Sequence, residues 1–103
     1  MFINNAVLVY FILKVLIKSP CNASLIIKHG IKNWPIWECG LSKFSWHYNE
    51  KEICLIIEGE ANIKTETGEN YFIKSGDLVE SPEGLSCEWQ ITKYIRKHYR
   101  LGN

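Results

Sequence analysis

The stretch Gly76 to Trp89, reading GDLVESPEGLSCEW, constrains the fold more than any other part of this chain. It opens on a Gly-Asp turn, runs apolar through Leu78 and Val79, and turns again at Pro82-Glu83-Gly84. Glycine tolerates positive φ and proline presets a φ of about −65°, so each turn carries the residue its backbone asks for. Beyond the second turn, Cys87, Trp89 and Ile91 fall on one strand face, and Ser86, Glu88 and Gln90 on the other. The first set is apolar. Cys87 is therefore predicted to lie inside, close to whatever chemistry the fold supports.

The same pattern of short extended segments and turns fills most of the chain. Val7 to Ile17 is rich in β-branched and aromatic residues and reads as one long strand, or two with a break near Lys14. Ser19-Pro20 reads as a helix start and Gly30 as its stop, which predicts a short helix over residues 20–29 with His29 at its surface end. Trp34 to Trp37 is extended, and Lys43 to Tyr48 alternates, with Phe44, Trp46 and Tyr48 on one face and Ser45 and His47 on the other. Glu52 to Glu58 reads as a strand ending at Gly59. Ala61 to Thr65 and Tyr71 to Lys74 flank a Gly68-containing connection and form a hairpin. Leu78 to Glu80, Ser86 to Ile91 and Ile95 to Leu101 complete the set. Many short strands with one early helix predict an all-β antiparallel barrel or sandwich.

Composition limits the alternatives. At 103 residues the chain has room for one core, and four Trp, five Tyr and four Phe give it the aromatic content of a globular domain. Twelve Lys and Arg against eleven Asp and Glu leave no concentrated basic surface, so a nucleic-acid partner is not expected. Cys21, Cys39, Cys54 and Cys87 show no zinc-binding spacing, and an intracellular, reducing compartment, cytoplasm or organelle interior, is expected. The apolar run near the N-terminus is shorter than the ~20 residues a membrane-spanning helix needs. It also lacks the charged start and cleavage site of a signal peptide. Residues 1–14 are read as an apolar extension, residues 15–103 as a single domain, and the exposed apolar edge as the seam of a homodimer.

With these segments in view, the chain resembles a cupin over about residues 15–102. Glu52 and Gly59 stand at the spacing of the first cupin motif, and Gly76, Pro82 and Gly84 match the second with no insertion. The wording Trp34 to Glu38, Glu58-Gly59, Gly76 to Val79, Gly84 to Trp89 and Arg96 to Tyr99 is similar to the small single-domain group related to (S)-ureidoglycine aminohydrolase. The resemblance implies a small antiparallel barrel, a double-stranded β-helix or jelly roll, whose two motifs face each other across a pocket. A typical metal-binding cupin holds its ion with three His and one Glu. Here Trp46, Tyr48 and Cys87 stand at the His positions and only Glu52 is kept. His47 faces the wrong way, and Trp offers no lone pair. The remaining Tyr48, Glu52 and Cys87 mix ligands that prefer different metals, so no metal cofactor is expected.

Glu52, Tyr48 and Cys87 are accordingly the candidate catalytic residues, and Trp46 and Trp89 the candidate binding surface for a small ligand. A carboxylate on an apolar face costs several kcal/mol, on the order of 2–7, unless it is partnered. Either Arg96 or Lys97 supplies a counter-charge to Glu52, or Glu52 works unpaired as a general acid or base with a raised pKa. Cys87 in an aromatic pocket is inert unless a cation lies beside it. Two functions follow. One is an enzyme acting on a small nitrogenous or carbonyl metabolite, in the manner of ureidoglycine aminohydrolase. The other is a non-catalytic, metal-free cupin that binds a small molecule or serves as an interaction module.

Overall fold

The computed structural model describes residues 13–102. Strand β1 (Leu16–Lys18) is followed by the helix α1 (Ala23–Lys28) and a 3-10 turn (Ile31–Asn33). Six further strands follow among the described residues: β2 (Ile36–Cys39), β3 (Ser42–His47), β4 (Glu52–Thr65), β5 (Asn70–Lys74), β6 (Leu78–Ser81) and β7 (Ser86–Leu101). All pairings are antiparallel in one seven-stranded sheet. This is the mostly-β cupin fold expected from the sequence, with its one short helix near the N-terminus.

The two long strands are its frame. β4 and β7 pair along nearly their whole length, from Glu52 opposite Leu101 to Thr65 opposite Cys87. The free edge of β4 takes β6 at one end and β5 at the other. The free edge of β7 takes β3 and then β2. Inward positions alternate along both strands, and Ile56, Ala61, Ile63, Ile91 and Ile95 form the core with Ile73, Val79 and Leu85.

Three boundaries differ from expectation, each for a physical reason. β4 does not stop at Gly59. Its register with β7 shifts between Ile56 and Ala61, and Gly59 adopts φ +98° inside this bulged segment. A Cβ there would stand 2.1 Å from the Tyr94 carbonyl oxygen, so only glycine lets the strands approach. Similarly, the two segments read as Ser86 to Ile91 and Ile95 to Leu101 are one continuous strand. The helix begins later than Pro20, because the Cys21 N–H donates to the Gly76 carbonyl at 2.7 Å and ties that residue to the sheet. Asn22 is the cap instead, its Oδ1 accepting from the Ser24 N–H at 2.6 Å, and Gly30 in the left-handed region follows as the stop.

Of the apolar N-terminal run, residues 7–12 lie outside the described residues. Its end is placed: Val15 is buried in the core and Leu16–Lys18 pairs with β6. No helix among the described residues is long and apolar enough to cross a membrane.

Candidate functional site

The Pro82-Glu83-Gly84 turn sets one wall of the site. Gly84 takes φ +89°, and its N–H donates to the Tyr48 carbonyl at 2.7 Å. The Tyr48 N–H in turn donates to the Leu85 carbonyl at 2.9 Å, so the turn fixes Tyr48 just beyond the end of β3. β3 contributes Phe44 and Trp46, its register placing Phe44 opposite Trp89 and Trp46 opposite Cys87. β4 opens with Glu52, and β2 brings Trp37 opposite Lys97. The faces of these strands enclose a cavity of about 220 Å³. Four of the five predicted site residues, Trp46, Tyr48, Glu52 and Trp89, line it. Trp46 is half exposed and stands at the rim with Leu101.

Cys87 does not line this cavity. It is packed in the core behind Trp46 and borders a shallow outer groove instead. Burial pushes its thiol up to about 11. A thiol so placed stays protonated at neutral pH.

Glu52 has a partner. The Lys97 ammonium donates to its Oε2 at 2.6 Å, and both side chains are more than nine-tenths buried. Lys97 is thus the counter-charge, while Arg96 turns outward to Glu38 and Glu58. The two strands do not place Glu52 and Lys97 directly opposite. Glu52 faces Leu101 and Lys97 faces Ile56, so the long lysine side chain runs past the Cys54–Tyr99 pair to reach the carboxylate. Its ammonium lies 4.9 Å from the Trp37 ring centroid and 4.7 Å from that of Trp89, within cation–π range of both. Burial opposes its charge, but Cys54, Glu52 and Tyr99 and the Glu52 hydrogen bond outweigh this and hold its pKa above the ordinary lysine value.

The aromatic wall is ordered by mutual packing. Phe44 and Trp89 lie nearly parallel with centroids 6.3 Å apart, and Trp37 meets both edge-on. The Trp89 indole N–H donates to the Tyr48 hydroxyl at 3.2 Å. Burial, reinforced by the Glu52 charge, raises the Tyr48 phenol well above its usual range, so it stays an O–H group. Beneath the charge pair lies Cys54, fully buried, its thiol pushed up to about 12 by desolvation. His47 faces outward, as alternation predicted, and pairs through Nδ1 with the Ser86 hydroxyl at 2.6 Å. His98 donates from Nδ1 to the Trp34 carbonyl at 3.0 Å.

These residues do not fit a metal. Among the described residues the one carboxylate of the cavity is engaged by an ammonium, and Cys87 stands outside the wall. Among the described residues no group of three or more His, Cys, Asp or Glu is placed to hold an ion.

Sequence reasoning missed Trp37, Phe44, Tyr99 and Leu101 as wall residues. The signal for the last two was present, since Trp89, Lys97, Tyr99 and Leu101 share odd-numbered parity along β7. It was hidden by reading that strand as two.

Comparison with known proteins agrees with this fold. Acetate kinase EutQ of Escherichia coli (strain K12) is 34% identical over 56 residues, which cover 54% of this chain and 24% of that protein. The match thus spans about a quarter of that relative's length. A DUF861-family protein from Thermotoga maritima, known from its crystal structure, superposes with a TM-score of 0.83 at 40% identity, covering 85% of this chain and 99% of that one. A putative ethanolamine utilization protein Q from Salmonella typhimurium LT2 gives a TM-score of 0.60 at 30% identity, over 65% of this chain and 54% of that one. The family model for the EutQ-like cupin domain matches residues 28–99, from the last residue of α1 to two residues short of the end of β7. With the fold, the turn signature and the family model in agreement, this chain belongs to the EutQ-like cupin domain family.

Proposed function

We propose that this cupin binds a small metabolite in its barrel without a metal ion. The observation that carries the reading is the buried Glu52–Lys97 pair on the wall of an aromatic cavity. A mostly apolar pocket with a few convergent polar groups is the usual form of a small-molecule site. At about 220 Å³ the cavity is smaller than the roughly 300–1,000 Å³ of sites for drug-sized ligands, which points to a compact metabolite. Trp46 and Trp89 supply contact surface, Trp46 from the rim and Trp89 from the interior. A fragment screen by intrinsic tryptophan fluorescence tests this. Hits that compete with one another and are lost in Trp37→Ala support barrel binding. Hits indifferent to Trp37→Ala would place binding elsewhere and refute it.

A second reading keeps the barrel as an enzyme for nitrogenous or carbonyl metabolites, as the resemblance to ureidoglycine aminohydrolase implies. What favours it is a proton donor and a proton acceptor 2.6 Å apart on the cavity wall. Glu52 would move the proton, Lys97 and Tyr48 would hold the substrate's polar atoms, and Cys87 would act only from the second layer. The donor set does not accommodate that enzyme's metal-dependent chemistry. Ammonia release from a panel of amide and ureido compounds, abolished in Glu52→Gln, would establish the enzyme. Absence of turnover across the panel would leave the binding protein. The acetate kinase named for the longer relatives is not carried over, because the matched segment is a minor part of those chains.

A further inference from the structure

Metal-binding cupins place a cation at the centre of the barrel to orient their ligand, and this chain has a cation there of a different kind. Lys97 lines the cavity with its side chain more than nine-tenths buried. An ammonium has three N–H donors. Among the described residues, the one acceptor it reaches is Glu52 Oε2. Its other near neighbours are the faces of Trp37 and Trp89, which attract the charge but leave the remaining donors without an oxygen. An ammonium on a cavity wall with one of its three donors engaged by protein has donors to give to a ligand oxygen.

The charge of the ligand follows from the same two residues. Glu52 and Lys97 are the two charged side chains of the wall, and together they sum to zero. A cationic ligand would have to displace Lys97 from the indole faces that already serve it. An anionic ligand would enter a mostly apolar cavity beside the Glu52 carboxylate, losing its hydration and meeting a like charge. An uncharged carbonyl oxygen meets neither obstacle. The near-parallel Phe44 and Trp89 rings, with Trp37 edge-on, favour a flat body behind that oxygen.

Building on the proposed binding function, we propose that Lys97 is the fixed cation that orients the ligand in this barrel. The ligand class is a planar, uncharged molecule presenting a carbonyl oxygen to the ammonium, an amide or ketone. Glu52 is then a positioning residue that holds the ammonium in place and cancels its charge toward ionic ligands.

Matched single-ring probes test this: benzamide, benzoate, benzylamine and toluene, titrated against the intact chain at neutral pH by tryptophan fluorescence and chemical-shift perturbation. Benzamide is expected to bind about tenfold tighter than toluene, the worth of one hydrogen bond to a charged donor, and tighter than either ionic probe. In Glu52→Leu/Lys97→Met, which removes both charges together, benzamide is expected to fall to the level of toluene while toluene keeps its affinity. Benzoate or benzylamine matching benzamide in the wild type would overturn the ligand class, as would a double variant that retains the benzamide preference, and both would leave barrel binding intact. Binding of none of the four would remove the binding function itself. The wild-type ranking decides the matter even if the double variant does not fold.

Discussion

A single side chain, Lys97, determines how Glu52 is to be understood. Breaking a buried ion pair by removing one partner strands the other charge and costs about 3–5 kcal/mol, whereas replacing both with apolar residues is often neutral. Lys97→Met and Glu52→Leu are each expected to lower stability by about that amount, and the double variant by far less, in denaturant unfolding followed by tryptophan fluorescence. The pH dependence has a definite sign. Lys97 is held above its ordinary pKa, so the pair's contribution is fully present below the unfolded lysine value. It is lost as the pH rises through the folded value, and the wild type should lose stability in the alkaline range more steeply than the double variant. How far this was legible in the sequence differs between the two residues. Glu52 stood out as a carboxylate on an apolar strand face, a conflict visible without coordinates. Its partner was narrowed to Arg96 or Lys97 and no further, because the contact runs diagonally across β4 and β7 and depends on the register between them.

At the level of the element, the bulged middle of β4 determines whether the two long strands can pair at both ends. Gly59 sits there with φ +98°, against the Tyr94 carbonyl and the Ile95 Cα. Gly59→Ala is expected to destabilise the fold by at least about 2 kcal/mol, combining a left-handed backbone with a Cβ clash against main chain that cannot rotate away. Thermal unfolding checks this, with Gly68→Ala, at a turn where a Cβ meets nothing within 4 Å, as the milder comparison. The turns at Gly76 and Gly84 were readable because their chemistry is local. Gly59 was misread as an end because a bulge and a strand terminus use the same residue for the same reason, and only the partner strand tells them apart. The same blindness split β7 in two: Thr92 to Tyr94 is polar enough to look like a turn, yet its backbone is held in the ladder by β4.

For the molecule as a whole, assembly and the nature of the charged centre are the open properties. The run from Val7 to Ile17 motivates a homodimer, and its described end forms β1, among the described residues an edge strand at the opposite end of the sheet order from β2, with Leu16 exposed. Multi-angle light scattering at micromolar concentration should return twice the 12.0 kDa chain mass, and a monodisperse monomer would refute the dimer. The barrel around that edge is recognisable from its turns alone, while its centre is not, because a family motif fixes where a pocket lies and leaves open which side chains fill it. In this chain the cupin pocket keeps its glutamate and pairs it with Lys97, which in the proposed binding function serves in place of a metal. Elemental analysis of the purified protein, after incubation with manganese, iron and zinc and removal of excess ion, tests that most directly. The expected result is far less than one metal per chain, unchanged in Glu52→Gln. One tightly held metal per chain, lost in Glu52→Gln, would contradict it.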